Sequence, residues 1–424
     1  MTDANETRAQ LPARERMDGA RHAAAMSTGS PQAPVAAGAP RGRPWALAIG
    51  GACSMAAANG IDRFVYTPIL PVMVQALGLT VSQAGLIASA NYLGYLLGAL
   101  FAARAGLPGS RQRWLLAALA ISAACTAAMA QPSTVPPLLA LRLVSGFAGA
   151  VAIVMATALV VERLAAVGRG GLAAVHFAGV GAGIVASALI VAGIKASGLD
   201  WRAMWLCAGA ASSCGLAVVV ASIGADGDRS TVVNAGSDAA PKRGPFRALI
   251  AANTLGAFGY VITATFVVAL VRGSPQLKNL EASIWVVFGV AAAPSVALWM
   301  ALARRHDVFR TFALVCVVEA VGVLASVLWL EPIGTIVAAV CVGGSFMGTT
   351  ALGMLGARLL IRGDPRRPVA LMTAGFGVGQ VVGPTFAGML RDATGSFVWP
   401  SLAAVVSLML ASWLALRAGS PPMR

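Results

Sequence analysis

The stretch "PPLLALRLVSGFAGAVAIVMATALVVE", residues 136–162, decides the class of fold. About 20 apolar residues at 1.5 Å rise cross a hydrocarbon core of roughly 30 Å. This run is longer, and within it only Arg142 and the final Glu162 are charged. The rest of the chain repeats the pattern. Of its 424 residues 58% are hydrophobic and 11% charged, whereas a soluble domain averages about 45–50% apolar and about 25% charged. The surplus must face lipid or other apolar helices. Twelve apolar runs are long enough, near 45–75, 81–103, 113–131, 136–162, 171–194 and 201–223, then 247–271, 282–303, 309–330, 332–360, 367–390 and 396–417. The expectation is an all-α membrane protein with twelve transmembrane helices in two six-helix, pseudo-symmetric halves.

The polar segments complete that layout. Residues 1–44 are rich in Ala, Pro, Gly and Arg and have no apolar core, so they read as a disordered cytoplasmic tail. The halves then occupy 45–223 and 247–418, joined by a polar cytoplasmic linker at 224–246, with a short cytoplasmic tail at 419–424. The formal net charge of +15 would suggest nucleic acid in a soluble chain. Here the basic residues gather in the tails, the linker and alternate loops. The intervening loops hold only Lys195, Arg202, Arg272, Lys278 and Arg391. That bias places both termini in the cytoplasm of a bacterial inner membrane and argues against a nucleic-acid partner. The six cysteines all lie in apolar runs, with neither C-x-x-C nor metal-ligand spacing. Neither a nucleophile–base set nor a nucleotide loop is present, so the chain reads as a non-enzyme that needs no cofactor and no metal.

The halves repeat. "AGVGAG" at 178–183 returns as "AGFGVG" at 374–379, an offset of 196 that also aligns Gly60 with Gly256, Phe64 with Tyr260 and Thr67 with Thr263. Similar halves are the mark of a parallel-repeat transporter whose substrate site lies between them.

Five segments together, "GIDRFVYTPILP" (60–71), "LIASANYLGYLLGA" (86–99), "VHFAGVGAGI" (175–184), "GYVITATFVVAL" (259–270) and "GGSFMGTTALGM" (343–354), resemble the YbfB-type branch of the major facilitator superfamily over residues 45–417. The resemblance implies alternating access by rocking of the halves, with spans 1, 4, 7 and 10 lining the path and span 9 at the periphery. "RLVSG" (142–146) is similar to the superfamily's span-4 motif, an Arg followed four residues on by Gly146. "GQVVGPTFAG" (379–388) is similar to the motif of exporters, but here it sits in span 11. The matching positions of span 5 hold Gly179, Gly183 and, in place of Pro, Ile184. The loop "ARAGLPGSRQR" (103–113) keeps its basic residues without the usual acidic partner.

The residues that could do chemistry cluster in span 1. A charge in the bilayer centre costs about 2.5–3.5 kcal/mol on insertion scales, so Asp62 and Arg63 must face a cavity or a partner. About 100° apart on a helix, they cannot simply pair with each other. Asn59, Asp62, Arg63 and Tyr66 recur at i, i+3, i+4 and i+7, one polar face expected to line the path. Pro68 and Pro71 interrupt the hydrogen-bond ladder near the outer end and offer a hinge or a fixed kink. Arg142 enters span 4 about 9 Å deep at 1.5 Å per residue. Asp62 lies at comparable depth, so the two could meet, and making and breaking that contact would load and release a proton. A fixed ion pair that orders the helices is the other reading. Asn91 and Tyr95, His176, Asn253, Tyr260 and Thr263, Thr349 and Gln380 are candidate path residues. Gly146, Gly179, Gly183, Gly379, Gly383 and Pro384 are candidate gating or packing positions. Trp285 and Trp299 of span 8 either stack a ligand or sit at the membrane interfaces, and the interfaces are favoured. Glu319 lies in a span that the resemblance puts at the periphery; it is either protonated or faces span 8 or 10, and is given no role.

The functional expectation is a monomeric secondary transporter of a small organic molecule, coupled to protons through Asp62, Arg63 and Arg142. Efflux by antiport is slightly favoured over symport or uncoupled passage. A receptor on a transporter scaffold is the competing class.

Overall fold

The computed structural model describes residues 44–104, 107–223, 243–277, 280–361 and 366–419. The expected tail over 1–43, most of the linker (224–242) and residues 420–424 lie outside them. Among the described residues the chain forms twelve helices. Helix α1 runs in two pieces, Pro44–Met55 and Tyr66–Leu77, joined by a π-helical stretch, Ala56–Ile61. Then follow α2 (Val81–Ala102), α3 (Arg111–Ala128), α4 (Val135–Ala166), α5 (Ala173–Ala196) and α6 (Trp201–Ser222). The second half holds α7 (Arg243–Gly273), α8 (Glu281–Arg305) and α9 (Val308–Leu328). Its α10 is again in two pieces, Pro332–Gly343 and Phe346–Leu360, and α11 (Arg366–Thr394) and α12 (Val398–Gly419) complete it. Helix α7 thus starts at Arg243, inside the segment expected to be linker, and α12 runs one residue past the expected end of its half. Ten of the twelve are long and apolar enough to cross a membrane. The exceptions are the interrupted α1 and α3, whose 18 residues begin Arg-Gln-Arg.

The repeat of the sequence recurs as a repeat of packing. Helix α1 packs on α5, α2 on α4 and α3 on α6, and in the second half α7 packs on α11, α8 on α10 and α9 on α12. The halves meet along α2–α11, α5–α8 and the second piece of α1 against α7. Large apolar side chains such as Leu97, Leu189, Val290, Leu298 and Trp413 point outward, as a surface solvated by lipid requires.

Both interrupted helices have local causes. Pro68 and Pro71 cannot donate to the carbonyls four residues earlier, Phe64 and Thr67. The ladder therefore fails upstream of the prolines. Asp62 N–H reaches back five residues to Ala57 O (2.9 Å), and Thr67 N–H turns to Phe64 O (3.3 Å). The chain recovers as the second piece and stops at Gly78, whose φ of 63° closes the end in the left-handed conformation. In α10 the poor helix formers Gly343, Gly344 and Ser345 mark the break. The Trp299 indole N–H donates to the Gly344 carbonyl at 2.7 Å.

On the face away from the termini the halves are tied by polar contacts. Lys195 at the end of α5 pairs with Glu281 at the start of α8 (2.5 Å), and Arg272 donates to Gln75 Oε1 (3.1 Å). Asp392 of α11 accepts from Val81 N (3.3 Å), Ser82 N (2.8 Å) and Ser82 Oγ (2.5 Å), the exposed start of α2.

Candidate functional site

The interruption of α1 places its polar residues. A π-turn does not keep the 3.6-residue period, so the single polar face expected of Asn59, Asp62, Arg63 and Tyr66 does not form. The four side chains fan out to different neighbours. Asp62 is buried, and its Oδ1 accepts from Ser212 Oγ of α6 at 2.5 Å. Ser122 and Thr126 of α3 turn toward the same carboxylate, whose Oδ2 has no partner. Tyr66 donates to Ala84 O of α2 at 2.8 Å. Asn59 is buried with Oδ1 unpartnered.

Arg142 and Asp62 do come together, but not as an ion pair. Arg142 Nη1 donates to the main-chain carbonyl of Asp62 (2.9 Å) and Nη2 to that of Arg63 (3.2 Å). Its guanidinium lies 4.9 Å from the centre of the Tyr66 ring. The carbonyls released by the failed ladder therefore find their donor in α4. Asn91 ties α2 to the same place, donating to Arg142 O and Ser145 Oγ, each at 3.1 Å.

Arg63 turns the other way. Its guanidinium carbon sits 4.6 Å from the ring centre of Tyr92 and 4.5 Å from that of Tyr95. The Phe64 ring, 5.4 Å away, leads across the seam between the halves. Phe64 meets Trp285 (6.3 Å) and Phe346 (5.6 Å), and Phe346 meets Tyr260 at 5.5 Å. Tyr260 bonds Gln380, lies within reach of the Arg63 charge, and has Phe376 at its other face. Thr67 donates across the seam to Ala264 O at 2.9 Å, and Thr263 is buried with its hydroxyl unpartnered.

Other candidates stand apart. His176 hydrogen-bonds Thr157 at 3.1 Å and packs beside Gly51, about 10 Å along α5 from Gly183. Asn253 donates to Met372 O of α11 at 3.2 Å. Thr349 donates to Glu319 Oε1 at 3.0 Å, which gives the fully buried Glu319 a partner in α10. The glycines are contact positions. A Cβ on Gly183 would meet Ala56 O at 2.4 Å, one on Gly179 Ala52 O at 2.1 Å, and one on Gly146 Asn91 O at 2.0 Å. In the exporter-like segment, Gly379 abuts Thr254 O, Gly383 lies beside Val261, and the Pro384 carbonyl abuts Gly85 of the other half.

Trp285 and Trp299 pack against protein rather than facing outward. Trp285 is fully buried and donates to Ser187 Oγ at 3.1 Å across the α5–α8 seam, while Trp299 fills the α10 break. The residues that sequence reasoning missed are Ser122, Thr126 and Ser212 around Asp62, and the Phe64–Phe346 contact. Among the described residues no group of three His, Cys, Asp or Glu side chains could hold a metal ion.

Paired six-helix halves with buried charges at an interrupted helix define a polytopic membrane transporter. The model of the family described as "Uncharacterised MFS-type transporter YbfB" matches residues 55–416. The chain belongs to this YbfB-type family of the major facilitator superfamily. Two structures of the nucleoside transporter NupG superpose with TM-scores of 0.66 and 0.64 at 14% identity, each over 88% of this chain and 98% of theirs. A bacterial homolog of the human lysosomal transporter Spinster, inward-facing and occupied, gives 0.64 at 15% identity over 88% of this chain and 96% of its own. These likenesses establish the fold. No curated protein matches the chain in sequence.

Proposed function

We propose that the chain is a monomeric, proton-coupled secondary transporter of a small organic molecule. It would work by alternating access in a bacterial inner membrane, with both termini cytoplasmic. The carrying observation is Asp62, a buried carboxylate with one unpartnered oxygen beside the main-chain carbonyls that Arg142 clamps. A proton on Asp62 would neutralise it without disturbing that clamp. The helix break next to it gives α1 a place to move as the halves rock. The contacts at Asp392 and Glu281 support a state closed on the face away from the termini.

The test uses whichever compound from a set of organic acids, nucleosides, sugars and cationic drugs raises the Tm of the purified protein. Proteoliposomes should concentrate it in response to an imposed pH difference, and the sign of the driving gradient reads the direction. Asp62→Asn should abolish this accumulation and keep counterflow down the compound's own gradient. Undiminished pH-driven accumulation by Asp62→Asn would falsify the coupling.

A further inference from the structure

Arg63, expected beside Asp62 and Arg142 in the coupling set, has no part in the proton-coupling account above. It is 8% exposed, and no ion pair among the described residues involves it. Two tyrosine rings lie within cation–π range of its guanidinium, Tyr92 at 4.6 Å and Tyr95 at 4.5 Å. What remains is the edge. Nε and Nη2, the two nitrogens whose N–H bonds point side by side, are both buried and both without a partner. A planar, parallel pair of donors matches the two oxygens of a carboxylate. Holding such a group unpaired inside a membrane is costly, so some acceptor must complete it during the working cycle.

The surroundings favour one kind of acceptor. The next residue, Phe64, packs on Phe346 and Trp285 of the second half, and Phe346 on Tyr260, rings that would take an apolar body once the halves part. Asp62, Arg63 and Arg142, none of them in an ion pair among the described residues, sum to one positive charge when Asp62 is ionised, which suits a monoanion. A phosphate monoester would bring about two negative charges to one fork. The space beside it, lined by Ala58, Asp62, Arg63, Asn91, Tyr95, Ser145, Gly146 and Gly149 of the first half, is packed shut, so the acceptor enters only when α1 moves away from α2 and α4.

We propose that the edge of Arg63, in its cage of Tyr92 and Tyr95, binds the carboxylate of an apolar organic monoanion, which is the transported substrate. The role as substrate rests on the transport reading above; the binding itself does not. Binding is therefore tested without transport, on the purified full-length protein in detergent. The probes are benzoate, 2-naphthoate and hexanoate, with benzamide and benzyltrimethylammonium as neutral and cationic counterparts.

At least one carboxylate should raise the Tm saturably, while the amide and the ammonium leave it unchanged. Arg63→Gln should weaken that carboxylate at least about tenfold, which is 1.4 kcal/mol, with a ligand-free Tm no lower than wild type. Arg63→Lys keeps the charge but not the fork and should fall between. Three results overturn the proposal: no wild-type response to any of the three carboxylates, an equal response to benzoate and benzamide, or a response retained in Arg63→Gln. The wild-type comparison alone decides if a variant fails to fold. Failure of binding leaves the transporter reading intact, and failure of pH-driven accumulation leaves the anion site intact.

Discussion

Arg142 holds the backbone of Asp62, not its carboxylate: the guanidinium reaches the carbonyls of Asp62 and Arg63 at 2.9 and 3.2 Å. An ion pair and a carbonyl clamp predict opposite outcomes in a double-mutant cycle. If charge joined the two, Asp62→Asn would leave a buried cation stranded, at a cost of about 3–5 kcal/mol, and neutralising Arg142 as well would restore stability. With the clamp, Asp62→Asn leaves Arg142 with its acceptors and the protein at near-normal abundance. Arg142→Gln strands two buried carbonyls at about 1–3 kcal/mol each. Adding Asp62→Asn should not rescue it. Tm values of the purified single and double variants read the cycle, and rescue would restore the ion pair.

Asp392 stops one half's helix with the other half's carboxylate. The first N–H groups of a helix lack internal acceptors. In α2, Thr80 and Gln83 cap each other while Asp392 of α11 takes the N–H groups of Val81 and Ser82. Asp392→Ala combined with Glu281→Gln should loosen this face. In a background freed of native cysteines, Thr263→Cys, now buried, should be labelled severalfold faster by an impermeant maleimide applied from that side. An unchanged rate would mean that the face is held shut by its apolar contacts alone.

Glu319 is expected at the periphery from the resemblance and is found fully buried against Thr349. Its Oε1 accepts from that hydroxyl beside the α10 break, which an amide oxygen can also do. Glu319→Gln should therefore keep the wild-type Tm. Glu319→Ala leaves the Thr349 hydroxyl its longer contact to Ser345 O (3.5 Å) and opens a cavity, and should cost about 2–5 kcal/mol. A Glu319→Gln protein as unstable as Glu319→Ala would show that the charge itself holds α9 to α10.

The helices were legible because membrane spanning needs about 20 apolar residues in a row, a signal that averages over many positions. The site was legible only where a residue type is costly in lipid. Asp62, Arg63 and Arg142 stand out for that reason. Ser122, Thr126 and Ser212 do not, since a hydroxyl can bond its own helix backbone and lie anywhere on an Ala-rich helix. Pro68 and Pro71 signal an interruption in α1, but Pro68 withdraws the donor from Phe64, four residues earlier, and the irregular stretch runs over 56–65 rather than at the prolines. Trp285 suits an interfacial position by residue type. Its place on the seam depends on Ser187 and Phe64, which are distant in sequence.

The basic-residue bias makes a prediction about sidedness. Single cysteines placed in the linker at 224–242, again without the native cysteines, should react with an impermeant maleimide in inside-out vesicles and not in intact cells. Labelling in intact cells would reverse the assigned orientation.

Gly60 and Gly256 occupy the same place in the repeat, yet their surroundings differ. A Cβ on Gly60 would lie 2.5 Å from the Cα of Gly183 and 2.7 Å from Val180 O, both backbone atoms of α5. A Cβ on Gly256 would meet the Thr349 methyl at 3.3 Å and Cys316 Sγ at 4.0 Å, ends of side chains that can shift. Replacing Gly by Ala within a helix gains up to about 1 kcal/mol in propensity, whereas overpacking costs about 1–3 kcal/mol or more where backbones must separate. Gly256→Ala should therefore leave the Tm within a few degrees of wild type or raise it. Gly60→Ala should lower it clearly and reduce the amount of protein in the membrane, because α1 can yield only by leaving α5 at the break that sets Asp62 and Arg63. Equal losses in the two variants would mean that the α1–α5 contact is no tighter than its counterpart, and that the position of the site does not depend on it.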